Sequence, residues 1–346
     1  MPFSPTEISN AGIAALDFYL KNNPIDQVAT ERPLLKKLME AKKTFPGAKQ
    51  YVVEQIRYTY NSNFQWFNGD AEVTYNHRQT LKQSSYPWRG CHDGFALNED
   101  ELFQNGISIV EGKGGTNTEA ERVQLTNILE EDTESLRLGF EAKFDFELHR
   151  DGTQSSDALA GLDYLISLTP TVGTVGGIDR SANTFWRNNV NTGLTSGATS
   201  MIDGMEQTWR ACARNGGQPD FIMAGETFID GFRDASQASI TRFSDPASKG
   251  YKLDPSVTNL SFHGIPIIWD PVFLDLDTQL VPATPWQKRC YFINTKFMKM
   301  RPAAGHDMKT RKPPRVYNRY TYYWGLTWKG ALTMGRSNAM AVLTVT

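Results

Sequence analysis

Between Leu125 and Leu148 apolar side chains return at steps of about four. Leu125, Leu129, Leu136, Phe140, Phe144 and Leu148 share one stripe, with Ile128 beside it. That period predicts a single long helix over 117–150. Thr116 and Glu119 stand at capping-box spacing at its start. At about 1.5 Å per residue the helix would run roughly 50 Å, well beyond the three to four turns usual in compact domains. Glu130, Glu131, Asp132 and Glu134 crowd its middle and read as a solvated face, and Gly139 is the expected place for a bend.

Other patterns flank this helix. Ala11–Leu20 is weakly amphipathic and predicts a short helix that Pro24 interrupts. Pro33 suits a first helical turn, and Leu34, Leu35, Leu38 and Met39 then line one face up to Phe45-Pro46-Gly47. Residues 50–82 read as β: Tyr51, Val52, Val53, Ile56, Tyr58 and Tyr60, then Val73 and Tyr75, with Asn68-Gly69 as the turn. Polar residues hold many alternate positions, so this hairpin cannot bury itself and must lie on another surface or project into solvent.

Beyond residue 153 helix and strand alternate. Helices are expected over Asp157–Leu168, Met201–Cys212 and Glu226–Ala235, with a buried strand at Phe221–Ala224. Asn215-Gly216-Gly217 supplies a helix stop. From Gly264 onward strands are expected at Ile265–Trp269, Cys290–Phe297, Tyr317–Tyr323 and Ala339–Val345. The alternation predicts an α/β layer.

Composition narrows the function. The 346 residues are 40% hydrophobic, enough for a packed core, and 12% aromatic, which suits cores and interfaces alike. Net charge is −2 and neither end carries a basic tail, which argues against sequence-specific nucleic-acid binding. The basic run Lys309–Arg319 reads as a solvated loop. Cys91, Cys212 and Cys290 are few and far apart, so neither a zinc site nor a disulfide framework is expected. No basic-then-apolar leader and no membrane-length apolar run appears. A soluble protein made in the cytoplasm is the expectation.

Enzyme signatures are wanting. Gly112-Lys113-Gly114-Gly115-Thr116 lacks the phosphate-loop spacing and reads as a hinge. His92-Asp93 and His306-Asp307 are adjacent pairs, which point to opposite faces of a strand. Glu130-Glu131-Asp132 is better read as solvated helix than as a metal site. No dinucleotide fingerprint or nucleophile elbow occurs. No catalytic, cofactor-binding or metal-binding residue is therefore assigned, and no cofactor is expected.

Three segments carry a resemblance: Gly176-Gly177-Ile178-Asp179-Arg180 leading to Trp186-Arg187-Asn188, then Phe221–Phe228, then Gly264–Pro271. In order and character they resemble the distal half of a tailed-bacteriophage major capsid protein, and the likeness extends over roughly residue 50 to the end. It implies an α+β Hong Kong ninety-seven-type fold. The parts would be an N-terminal arm (1–49), an extended β-hairpin loop (50–90), a peripheral domain (91–154) with spine helix 117–150, an axial α/β domain (155–260), and strands returning to both domains (261–346). The implied function is a head shell built from hexamers and pentamers of this chain around double-stranded DNA contacted non-specifically. With no room for a scaffold-like segment, the resemblance implies a separate scaffolding protein or prior cleavage, the Met1 start favouring the former; a portal and a decoration protein are further expected partners, and no membrane is. The expected location is the virion, after assembly in a bacterial cytoplasm.

The resemblance also implies finer expectations. Residues 170–200 would form the capsomer-centre tip, with Asp179, Arg180, Arg187 and Asn188 offering polar contacts and Phe185 and Trp186 anchoring the loop; an internal pair of Asp179 with Arg180 or Arg187, of little energetic worth, is the equal alternative. Lys82 is the one loop lysine placed for a covalent crosslink, and none is expected. Two rival readings stand beside the capsid. One is an encapsulin-like cellular nanocompartment. The other is a carbohydrate-binding or glycan-cleaving protein, for which Asp270 and Glu226 near the tryptophans would be the carboxylates.

Overall fold

The computed structural model describes residues 30–47, 49–104, 119–214, 216–240, 260–314 and 320–346; the side chains of 119–127 and 237–240 lie outside the description. The expected helix at Ala11–Leu20, the cap at Thr116, the hinge at 112–116 and the start of the strand at Tyr317 fall outside the described residues.

Along the chain, α1 is Pro33–Glu40, with Pro33 at its first position and Leu34, Leu35 and Leu38 buried. Strands β1 (Tyr51–Arg57), β2 (Leu81–Pro87) and β3 (Arg89–Asn98) follow, then the short helix α2 (Glu99–Gln104). Helix α3 spans Glu119–His149, 31 residues, and runs unbroken through Gly139. Next come α4 (Leu162–Leu165), β4 (Thr174–Val175), β5 (Ile178–Asp179), β6 (Asn189–Leu194), α5 (Thr199–Arg214), β7 (Phe221–Ala224), α6 (Glu226–Ile240), β8 (Ser261–Phe262) and β9 (Ile265–Trp269). The chain ends through α7 (Val272–Leu280), β10 (Arg289–Ile293), β11 (Met298–Pro302), β12 (Lys309–Arg311), β13 (Thr321–Met334) and β14 (Ala341–Val345).

Contacts divide the chain into two units. The first holds Gly90–Phe144 and Gly305–Lys329. Its core stacks α3 rings on β13: Phe140 lies 5.8 Å from Phe144, and Phe144 lies 4.8 Å from the fully buried Trp328. Strand β13 pairs with β3 and antiparallel with β12, Lys309 facing Thr327. Glycine is required where β3 meets β13, because a Cβ at Gly94 would sit 2.6 Å from the Trp324 carbonyl oxygen.

The second unit holds Glu31–Arg89, Asp145–Ala304 and Gly330–Thr346. Its centre is a six-stranded sheet in the order β6-β14-β10-β7-β9-β8. Strands β14 and β6 run parallel, as do β7 and β9, while β10 is antiparallel to both its neighbours. Every residue of β7, β10 and β14 is buried. Continuous apolar runs of this kind arise when both faces of a sheet are covered. Trp209 of α5 and Phe228 and Phe232 of α6 share one buried cluster with Phe262, Phe292 and Leu343.

Two expected elements are shorter than their patterns predict. The helix expected over Asp157–Leu168 shrinks to α4, because Gly161 packs against the carbonyls of Leu148 and Arg150, and its N–H donates to the latter. The strand expected over Cys290–Phe297 stops at Ile293. There Asn294 donates to the Gln218 carbonyl and the Thr295 N–H donates to Asp220, folding the chain into a turn before β11. Helix α7 and strand β6 were not expected at all.

Candidate functional site

The loop from Tyr58 to Thr80 is anchored by a two-stranded ladder. Strands β1 and β2 pair antiparallel from Tyr51 opposite Pro87 to Arg57 opposite Leu81. Their inner positions Val52, Ile56, Ser84 and Tyr86 are buried. The Tyr86 hydroxyl donates to the Met334 carbonyl at 3.0 Å, and burial pushes its pKa well above the usual phenol range. The Ser85 N–H reaches the Gly176 carbonyl at 2.9 Å. Alternation in the base therefore has a cause: one face rests on the second unit's own body.

Past Arg57 the ladder ends with the Tyr58 N–H on the Thr80 carbonyl. The β continuation expected through Val73 and Tyr75 does not form; residues 58–80 contain no strand. The Asn68-Gly69 turn does form, with Gly69 at φ +52° and the Ala71 N–H on the Asn68 carbonyl. A polar clasp holds the two sides: Gln65 donates to Asn63 at 2.9 Å, and the Thr74 N–H donates to Gln65. The rings point outward. Phe64 is 74% exposed, Trp66 90% and Tyr75 91%, with Tyr60 and Phe67 little less. Phe64 and Trp66 touch only edge to face, at 5.2 Å. Apolar surface of this extent is a mark of contact sites in proteins.

At the loop's root the second unit carries a groove of about 770 Å³. Its walls come from Glu54–Tyr60, the turn Lys296–Phe297 with Lys299 and Arg301 of β11, and Gly335, Arg336 and Asn338. Tyr58 and Phe185 meet at a tilt, 5.4 Å apart, along one edge, and the Lys82 ammonium lies 5.1 Å and 5.4 Å from their ring centres. Lys82 also donates to Asn183 of its own chain, so its amine is occupied at home.

A second cluster lies inside the same unit. His149, at the last turn of α3, is fully buried; its Nε2 meets Asp270 Oδ2 at 2.9 Å and its Nδ1 meets the Asp145 carbonyl at 2.8 Å. Asp145 Oδ1 accepts the Leu35 N–H at the start of α1, and Asp270 Oδ1 accepts the Val272 N–H at the start of α7. Burial opposes charge on His149, but Asp270 and then Asp145 outweigh it and raise its pKa to about 9. Burial raises Asp145 to about 6, against the pull of His149. The three residues offer ligand atoms within 4.8 Å of one another, a donor set that a divalent cation could use. The imidazolium already fills that role for Asp270, tying three helix ends together.

The residues singled out from sequence scatter accordingly. Asp270 turns inward to His149, whereas Glu226 lies exposed at the head of α6, so they make no carboxylate pair. Arg180 is buried and donates to the Leu165 carbonyl. Arg187 donates to the carbonyls of Arg180 and Ser181, both at 2.7 Å. Asn188 bridges the backbone N–H and carbonyl of Ser167. These three stitch the 165–188 segment to itself; Arg180 and Asn188 are buried in doing so, while Arg187 stays half-exposed. Trp186 anchors the segment as expected, donating to the Val175 carbonyl at 2.9 Å. Asp179 stays exposed, its carboxyl held below the usual range by hydrogen bonds from Ser181. Among the described residues no helix is long and apolar enough to cross a membrane. The trio around His149 was not foreseen; its sole local trace is the Asp145/His149 spacing of four on one helix.

No protein-family model matches the chain, and no curated protein matches it. Solved structures do. The chain is similar to the capsid asymmetric unit of cyanophage A-1(L), with a TM-score of 0.62 and 15% identity over 94% of this chain and 95% of that one. It is similar to a chain from Gordonia phage Cozz (TM-score 0.55, 11% identity, 94% and 91% covered) and to one from the bacteriophage PhiM1 mature capsid (0.52, 10%, 94% and 91%). At such identities the likeness is one of fold. The chain has the α+β fold of Hong Kong ninety-seven-type phage capsid subunits.

Proposed function

We propose that the chain is a major capsid protein of a tailed bacteriophage. It assembles itself, through hexamers and pentamers, into the icosahedral shell that encloses double-stranded DNA, and its place is the virion. One observation carries this reading beyond fold: five aromatic side chains between Tyr60 and Tyr75 stand in water on a loop rooted in its own body. Covering a large ring on a neighbour is worth about 1.5–3 kcal/mol. Each copy offers one such loop and one body, so contacts run head to tail, and a rotation that closes makes a ring.

In this reading residues 1–49 act as the arm, 50–90 as the extended loop, 91–154 as the peripheral domain and 155–260 as the axial domain, with 261–346 closing both. A net charge of −2 suits a wall that touches DNA without gripping it. The chain does no chemistry of its own and takes no cofactor. A scaffolding protein, a portal and a decoration protein act beside it.

The test is assembly itself. The chain is produced in bacteria, alone and with a scaffolding protein, and sedimented in a density gradient. Shell-sized particles carrying five-fold and six-fold rings are expected. Only monomer or dimer under both conditions contradicts the reading.

A further inference from the structure

The groove at the loop's root has a charge out of keeping with the chain. Arg57, Arg214, Lys296, Lys299, Arg301 and Arg336 line it, against the single carboxylate of Glu54, in a protein whose net charge is −2. That carboxylate is already taken: Arg301 holds it at 2.5 Å and the Thr333 hydroxyl at 3.3 Å. Arg336 and Lys296 rest on the Phe297 ring, at 4.9 Å and 5.9 Å. That contact fixes their heads at the rim without neutralising them. Arg57, Arg214 and Lys299 have no carboxylate partner among the described residues. Crowded cations repel, and an anionic occupant removes that cost. Four of the six are arginines, whose planar forks suit carboxylates and phosphates.

The chain carries a matching surface on its other unit. Glu130, Glu131 and Asp132 follow one another on α3, near Glu101 of α2, and none pairs with a cation among the described residues. Burial first, and then the neighbouring charges of Glu131 and Glu101, raise the Asp132 carboxyl above its ordinary value. A helical turn fills roughly 400 Å³, so a groove of about 770 Å³ has room for the one to two turns that bear these residues.

We propose that the cationic groove of one copy receives the Glu130–Asp132 stretch of a second copy. The inference rests on the shell reading and names one of its contacts. It favours a protein occupant over a phosphate backbone because every copy brings one groove and one acidic stretch. That equal supply lets the contact repeat around a ring.

The test uses charge exchange in the full chain. One variant carries Arg57→Glu, Arg214→Glu and Lys299→Glu; a second carries Glu130→Lys, Glu131→Lys and Asp132→Lys; a third carries both sets. Shell yield is read by sedimentation, and subunit folding by thermal melting. Each single set is expected to cut shell yield by about tenfold or more, since facing like charges costs several kcal/mol, and the combined chain to recover most of it. Normal shells from either single set, or no recovery in the third, overturn the contact while leaving the shell reading intact. Normal shells that retain less DNA assign the groove to nucleic acid and likewise overturn it. If a reversed chain does not fold, a chain with Lys299→Cys and Glu131→Cys decides: oxidised shells are expected to show a disulfide between copies, and its absence overturns the contact. Failure of the unaltered chain to assemble counts against the shell reading instead.

Discussion

The central sheet of the second unit and the loop from Tyr58 to Thr80 are built from similar residues and end in opposite states. In β7, β10 and β14 every residue is buried, and Phe292 meets Phe262 at 6.0 Å and Trp209 at 6.0 Å. In the loop, Phe64, Trp66 and Tyr75 face water. Aromatic residues in the sheet find their partners within the chain. Those in the loop make one edge-to-face contact, Phe64 with Trp66, and otherwise stand in water, so the subunit gains little stability from them. Apolar character by itself therefore says where surface is to be covered, and the rest of the chain decides whether the cover is its own or another copy's.

The largest effects are expected in the sheet. Phe292→Ala should cost about 3–5 kcal/mol, by lost burial and the cavity left behind, read as a lower urea midpoint. Loss of less than about 1 kcal/mol would remove the sheet from the subunit's core.

The buried cluster sharpens the same contrast from the charge side. His149→Gln leaves Asp270 without its cation and should cost about 3–5 kcal/mol. Its pH dependence has a definite sign. His149 stands at about 9 in the fold against an ordinary 6.5, so its contribution is complete below 6.5 and lost as pH rises through 9. Asp145, raised to about 6 from 3.8, acts in the same direction in a lower window. Urea midpoints should fall between pH 7 and pH 10 in the wild type and fall less in the variant. Equal slopes would mean that His149 does not titrate there.

The smallest effect belongs to the 165–188 segment. Arg187→Ala removes two side-chain hydrogen bonds to carbonyls, worth about 1 kcal/mol each at most in a half-exposed setting. The subunit should soften slightly and shells should form as before. A sharp fall in shell yield with unchanged melting would place Arg187 in the contact between copies.

Local pattern carried much of this fold. The stripe from Leu125 to Leu148 lies on a helix of 31 residues, and the strands at Phe221–Ala224 and Ile265–Trp269 stand where their apolar runs put them. The Asn68-Gly69 turn follows from glycine's freedom at positive φ. What pattern could not carry is long-range. Strand β6 is polar at most positions and is a strand because it pairs with β14. His149 and Asp270 meet across 121 residues, and nothing near either announces the other. An internal partner for Arg187 could be expected, but not that it would be the Arg180 and Ser181 carbonyls, which belong to a loop whose path only the folded chain fixes. The groove gathers bases from four distant stretches, so no basic run betrays it.

The central claim is that the loop's rings are for other copies, and one comparison tests it most directly. The full chain and a chain with Phe64→Ser, Trp66→Ser and Tyr75→Ser are purified side by side, unfolded in urea, and sedimented under assembly conditions. Exposed positions away from special features change stability by about 0.5 kcal/mol or less, so the account predicts matching urea midpoints, shells from the unaltered chain and none from the variant. Shells from the variant at the wild-type yield, or a subunit destabilised by more than about 2 kcal/mol, would contradict it.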